Sequence, residues 1–204
     1  PEFELEEKAF KAYEARFLKQ RDIENEKQDE IKKGETIPDI SQLHIVRKMY
    51  AEDDVGSLGH LIASLYTLIP PLRADYGCVK LVHHGNKIPQ KDFEKQNWYR
   101  VTDGTLMMNK YKTWKRYGLI HTKVPKQLKN VIDLWLAKSG NKAYLITTAN
   151  GAYESCKKDP PQQGGGFSSL VGRVFNKYLR EDKTEKSIGI NRIRQIWAVW
   201  IGEQ

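Results

Sequence analysis

Residues 55–76, VGSLGHLIASLYTLIPPLRADY, hold the strongest helical signal in the chain and its sharpest break. Leu58, Leu61, Ile62, Leu65, Leu68 and Ile69 recur at i, i+3, i+4 and i+7, which predicts a helix from about Val55 to Ile69 with one face in the core. Asp53 and Asp54 precede it, and Pro70-Pro71 end it, because proline lacks the amide and restricts the residue before it. Leu72-Arg73-Ala74-Asp75-Tyr76 then emerges as a turn, so Arg73 is delivered at the carboxyl end of the central helix.

Outward from that helix the pattern alternates short strands and amphipathic helices. Ser41 is a suitable cap for a preceding helix carrying Leu43, Val46 and Met49. Residues 78–83 run apolar over a strand length, and two strand-like runs, Asn97–Val101 and Leu106–Tyr111, flank Thr102-Asp103-Gly104-Thr105, where Asp-Gly favours a tight turn. Lys112–Gly118 reads as a further turn and Leu119–Val124 as a strand, so a small antiparallel sheet is expected. Pro125 starts a helix that buries Leu128, Val131, Ile132, Trp135 and Leu136 and stops at Ser139-Gly140. Tyr144–Thr147 reads as extended, residues 149–166 as a long loop rich in Pro and Gly, and Ser168–Arg180 as a helix. The last helix, Gly189–Ile201, carries Ile190, Ile193, Trp197, Trp200 and Ile201 on its core side, with Asn191 and Arg194 expected on an adjacent face. The fold class expected is α/β, mostly helical, with a small antiparallel β-sheet.

Residues 1–36 read differently. Glu4–Lys33 contains no Gly or Pro, and Phe10, Tyr13 and Phe17 recur at helical spacing, which predicts an amino-terminal helical arm ending at Gly34–Pro38. Beyond Leu18 its apolar stripe thins to Ile23 and Ile31, so that half is free to meet a neighbouring subunit or another domain. Pro1-Glu2-Phe3 has the look of cloning residues. Residues 37–204 form the expected second unit.

The 204-residue chain carries 34 Lys+Arg against 26 Asp+Glu, a net charge of +8. Ten acids and eight bases fall in residues 1–33, which leaves 26 bases against 16 acids, a net +10, in residues 34–204. Such a body favours a polyanionic partner, nucleic acid first. Two cysteines, Cys78 and Cys156, are too few for a disulfide framework or a thiolate metal cluster. No apolar run reaches the roughly 18 residues of a membrane span, and no signal-peptide pattern opens the chain. The expectation is an intracellular protein located with its DNA, in a nucleus or at a viral replication site.

Arg73 in Pro-Pro-Leu-Arg-Ala-Asp-Tyr, Lys112 in Tyr-Lys-Thr-Trp-Lys and Arg194 in Asn191-Arg192-Ile193-Arg194 follow one another in an order that resembles the catalytic domain of tyrosine recombinases and phage integrases. The segments LYTLIPPLRADY (65–76) and NKYKTWKRYG (109–118) are most similar to divergent integrase-like proteins of large DNA viruses and mobile elements. The resemblance covers residues 50–204. It implies cleavage and rejoining of DNA strands through a 3′-phosphotyrosyl intermediate, with no metal and no cofactor, by a homo-oligomer assembled on double-stranded DNA.

On that reading Arg73 and Arg194 stabilise the charge that grows on the phosphate oxygens as a tyrosine attacks. Lys112 protonates the departing 5′-oxygen, with Lys110 and Lys115 one register step away from the same role. Asn191 stands where the family has a histidine; it can hydrogen-bond a phosphate but cannot move a proton near neutral pH. Lys110, Lys115, Arg116 and Arg192 are the further DNA-contact candidates. The family's acid three residues after the first arginine is Tyr76 here, with Asp75 beside it. The nucleophile expected after Arg194 is absent from the sequence, whose last tyrosine is Tyr178.

Other constellations point elsewhere. His83-His84 on a strand would face opposite sides and has no surrounding ligand cluster, so a metal site is not expected. Gly164-Gly165-Gly166 lacks the Lys-Ser/Thr of a phosphate loop. The five tryptophans read as core or rim, with Trp114 the candidate base-stacking exception. The rival readings are a DNA-binding or architectural module without catalysis, and a metal-dependent or RNA-directed nuclease.

Overall fold

The computed structural model describes residues 38–111, 114–140, 142–147, 165–180 and 187–203. The expected amino-terminal arm, Lys112 and nearly all of the 149–166 loop lie outside the described residues.

Helix α1 (Ile40–Asp54) opens the described chain. Asp39, two residues before the expected Ser41, is its cap and accepts the Ser41 amide at 2.7 Å. Asp53 and Asp54 close this helix instead of introducing the next. After Gly56 in the left-handed region (φ 72°), Ser57 caps α2 (Leu58–Leu65) by accepting the His60 amide at 3.1 Å. Every residue of α2 from His60 to Leu65 is buried, and the helix packs against three others of the fold. Gly59 permits the closest of these approaches: a Cβ there would lie 2.2 Å from the Tyr50 ring of α1.

The sheet has the order β1-β2-β3-β4, with strands Val79–Val82, Asn97–Arg100, Thr105–Met108 and Ile120–Lys123. It is mixed, which corrects the expectation of an antiparallel sheet: β1 and β2 pair in parallel, Val79 opposite Asn97 and Val82 opposite Arg100. Residues 83–96, which include the one-turn helix α3 (Gln90–Phe93), are long enough to carry the chain back to the starting end of β1. The remaining pairs are antiparallel. The Asp103-Gly104 turn forms as expected, with Gly104 at φ 70° and the Thr105 amide donating to Asp103 at 3.0 Å. Tyr144 adds an isolated antiparallel bridge to Lys80 on the free edge of β1.

Three longer helices follow a one-turn α4 (Trp114–Tyr117): α5 (Lys126–Ser139), α6 (Gly165–Leu179) and α7 (Ile190–Gly202). Alpha5 packs on α2, as does α6, which also packs on α1 and α7. The helices share one apolar cluster with Leu81, Tyr99, Leu106 and Met108 of the sheet. The opposite sheet face, Val82, Trp98 and Met107, is covered by Ile88 and Phe93 from the β1–β2 connection. Cys78 is disulfide-bonded, a bridge that was not expected from a chain with only two cysteines. Among the described residues, no helix is long and apolar enough to cross a membrane.

Candidate functional site

The central helix ends at Leu65, four residues before the expected Ile69, and residues 66–69 lead the chain through Pro70-Pro71 into Arg73 and a 3-10 segment, Ala74–Cys78. Arg73 is half-buried, while Asp75 and Tyr76 behind it are 3% and 0% exposed. Two tyrosines hold this turn. The Tyr76 hydroxyl donates to the Pro70 carbonyl at 3.0 Å, and the Tyr66 hydroxyl donates to the Arg73 carbonyl at 2.7 Å. Tyr76, the position that departs from the recombinase pattern, therefore closes the turn through its own hydrogen bond. The rings of Tyr66 and Tyr76 meet edge to face at 5.6 Å.

Helix α7 corrects the expectation for its polar face. Arg194 is 8% exposed and belongs to the buried stripe with Ile190, Ile193 and Trp197, whereas Asn191 is exposed. Three residues of helix separate the two by about 60° of rotation. That step is enough to leave Asn191 in solvent and carry Arg194 between Ile190 and Ala198, both buried. Arg192 is half-buried and donates to Gln195 at 3.4 Å.

One residue joins the two arginine-bearing segments. Trp197, one turn beyond Arg194, donates its indole N–H to the Tyr66 carbonyl at 2.8 Å, and the hydroxyl of that same tyrosine holds the Arg73 carbonyl. Tyr66 is fully buried. It was not among the residues singled out from sequence, since a tyrosine near the end of an apolar helix carries no local mark of such a bridging role.

The basic loop between β3 and β4 is built from its flanks. Asn97 on β2 clasps Lys110 with two bonds, donating to the Lys110 carbonyl and accepting the Lys110 amide, each at 2.7 Å. Next to it Asn109, wholly buried, donates to the Phe93 carbonyl at 2.5 Å, and its oxygen meets His121 Nε2 at 2.8 Å. Because an amide oxygen only accepts, His121 donates from Nε2. Burial holds the His121 imidazole below its usual pKa, and Arg100 adds to the effect. On the far side of the loop the Tyr111 hydroxyl donates to the Gly118 carbonyl at 2.8 Å, and Gly118 turns at φ 73°.

Within the loop the candidate bases differ. The Lys110 ammonium sits 4.0 Å from the centre of the Trp114 ring, a cation–π contact. Lys115 and Arg116 are exposed on α4. Trp114, the candidate base-stacking residue, is thus occupied on one face by Lys110. The two arginine segments are brought together through Tyr66, and the lysine loop is anchored separately through Asn97 and Asn109. A polar Asn at the buried start of a strand was the available sequence signal for that clasp.

Elsewhere, His83 Nε2 meets the Lys142 carbonyl at 2.9 Å and His84 is exposed. Among the described residues no group of three or more His, Cys, Asp or Glu could hold a metal ion. Gly165 and Gly166 lie inside the first turn of α6, three residues earlier than the expected start. No family model, no curated protein and no solved structure matches this chain.

Proposed function

We propose that the protein belongs to a machinery that cuts and rejoins DNA strands, site-specific or integrative recombination, through a 3′-phosphotyrosyl intermediate. In this reading Arg73 and Arg194 hold the scissile phosphate, and Lys112, or Lys110 or Lys115 in its stead, protonates the leaving 5′-oxygen. Asn191 offers a neutral hydrogen bond, and Lys115, Arg116 and Arg192 contact the backbone of the duplex. The nucleophilic tyrosine is not assigned to a residue of this sequence. Duplex DNA is the partner, several copies assemble on it, and the chemistry uses neither metal nor cofactor.

The observation that supports this reading most is the double tie of Tyr66 to Trp197 and to Arg73, which couples the positions of two arginine-bearing segments that are 121 residues apart in sequence. A guanidinium held by a buried scaffold stabilises a developing phosphorane charge without reorganising, and removing one such donor costs on the order of 3–4 kcal/mol. The arrangement of the basic β3–β4 loop on a separate pair of asparagine anchors is consistent with a general acid supplied from a different element.

The test is covalent capture. A longer form of the protein, incubated with a nicked duplex whose cut product cannot religate, is expected to yield a denaturant-stable protein–DNA adduct. Arg194→Ala abolishes that adduct and leaves non-specific duplex binding largely intact. Adduct formation at a near-normal rate in the variant would rule out the role of Arg194. Exposed Asn191, which cannot relay a proton, favours a second reading, a recombinase-derived DNA-binding or architectural module. Duplex binding without any adduct from the parent protein would select it.

A further inference from the structure

Beside the elements discussed so far, a groove of about 460 Å³ runs along α1, lined by His44, Ile45, Arg47, Lys48 and Ala51, with His60 of α2 at its base. That volume lies in the range that small-molecule sites occupy. Arg47 is half-buried, its Nε is cut off from solvent, and it has no hydrogen-bond or ion-pair partner among the described residues. Burial pushes its pKa down, and no anion opposes that shift. A guanidinium nitrogen held this way forfeits its hydration and gains no bond in return. His60 brings a second donor. It is 5% exposed, and its Nδ1 accepts the Gly56 amide at 3.1 Å, which places the ring proton on Nε2. That Nε2–H has no partner among the described residues.

The balance of charge along the groove falls one anion short. Burial first, and then Arg47, hold His60 and His44 below the usual imidazole pKa, so both are neutral at about pH 7. Lys48 is exposed and pairs with Glu52 at 3.8 Å. No described residue of the lining is acidic. Arg47 is therefore the cation left without a counter-ion, and a single negative charge would complete it. A carboxylate suits it, because arginine offers two parallel N–H donors that match the two carboxylate oxygens. The walls add a second requirement. Ile45 is 52% exposed, and with Ala51 it presents carbon to whatever enters. A duplex phosphate would meet the charge but would set a polar sugar–phosphate chain against Ile45 and Ala51.

We propose that the α1 groove is a binding site for a small monocarboxylate with an apolar body, its carboxylate on Arg47 and the His60 Nε2–H and its apolar body along Ile45 and Ala51. The site is independent of the recombination reading and uses none of its residues.

Octanoate is the probe, titrated into the full chain while the Arg47 Nε–H and the α1 amides are followed by proton–nitrogen NMR. A saturable shift of the Nε–H is expected, half complete at about 1 mM or below, as suits a ligand of that size. Octan-1-ol keeps the chain and loses the charge, acetate does the reverse, and each is expected to bind at least about tenfold more weakly. Arg47→Gln is expected to abolish saturation and, with no partner bond to lose, to melt no lower than the parent. Ile45→Ser, at an exposed position, should weaken octanoate by about threefold or more without changing the melting temperature. No saturable shift by about 10 mM octanoate, a value well beyond the expected midpoint, would overturn the proposal. So would octanoate binding unmoved by Arg47→Gln or by Ile45→Ser, or octan-1-ol binding as well as octanoate. A stronger response to inorganic phosphate or to a short duplex than to octanoate would also overturn it, by assigning the groove to phosphate.

Discussion

Single side chains decide how the two arginines are held. The change most telling for Tyr66 is the smallest one: Tyr66→Phe keeps the ring and its edge-to-face contacts with Tyr76 and Phe175 but removes the hydroxyl that holds the Arg73 carbonyl. Loss of one such bond costs about 1 kcal/mol, or roughly 2–4 °C in Tm for a chain of this size. On the proposed function the larger expected effect is on activity, because the Arg73 carbonyl then loses one anchor: covalent DNA joining is expected to fall by about tenfold or more while duplex affinity stays within about twofold. A variant that melts lower yet joins DNA at the parent rate would show that Tyr66 serves packing alone. At this scale the sequence was a partial guide. It offered Arg73, Arg194 and Asn191 as candidates, but it left Arg194 beside the core because apolar spacing cannot reveal that an arginine occupies the stripe itself. Nor could it reveal Tyr66, whose partners, Trp197 and the Arg73 carbonyl, come together only in three dimensions.

Elements were more legible. The helices around Leu128 and Ile193 and the strand pair at the Asp103-Gly104 turn follow from periodicity and turn chemistry and form close to their expected bounds. The helix around Leu61, expected over Val55–Ile69, instead runs only from Leu58 to Leu65 and stops before Pro70-Pro71. The parallel pairing of β1 with β2 was not legible, since strand direction is set by the path of residues 83–96 and not by the strands themselves. The same holds for the clasp of Asn97 on Lys110, which spans two elements. Asn97→Ala removes both 2.7 Å bonds and leaves an amide and a carbonyl unpaired. A loss of about 2–3 kcal/mol in unfolding free energy is expected, read by denaturant titration. A loss below about 0.5 kcal/mol would mean water replaces the clasp without cost. Which lysine of the loop acts as acid is a separate question with its own readout. A DNA substrate bearing sulfur at the bridging 5′-position has a leaving group that needs no proton. Joining with that substrate is expected to be normal in Lys112→Ala, which fails on the oxygen substrate, while Lys110→Ala, whose ammonium rests on Trp114, loses little on either. Rescue of Lys110→Ala instead would transfer the role to Lys110.

The molecule as a whole carries a titration signature that follows from which groups it buries. His44, His60 and His121 are all held below the usual imidazole pKa, first by burial, then by the positive charge of Arg47 or Arg100. A histidine with a lowered folded-state pKa binds more protons unfolded than folded, so its share of stability is full above about pH 6.5 and is lost as pH falls. For His60 the cause is concrete, because protonating Nδ1 destroys the acceptor of the Gly56 amide. Asp39, Asp53 and Asp103 are held below the usual carboxylate range, and their contribution has the same sign at lower pH: present above about pH 4, lost as pH drops further. At the alkaline end burial pushes the Tyr99 phenol upward, and hydrogen bonds to Tyr178 and Asp53 raise the Lys177 ammonium. Raised groups contribute fully below their unfolded pKa values, about 10 or higher, and lose that contribution above them. The expected profile is a Tm that climbs between about pH 5 and pH 7, stays level to about pH 9 and declines beyond about pH 10. His60→Gln, whose side-chain oxygen can still accept the Gly56 amide but cannot titrate, should flatten part of the acid limb and leave the alkaline limb as it was. Melting curves that are level from pH 5 to pH 7, or an acid limb unchanged in His60→Gln, would contradict the assignment of a neutral imidazole at His60.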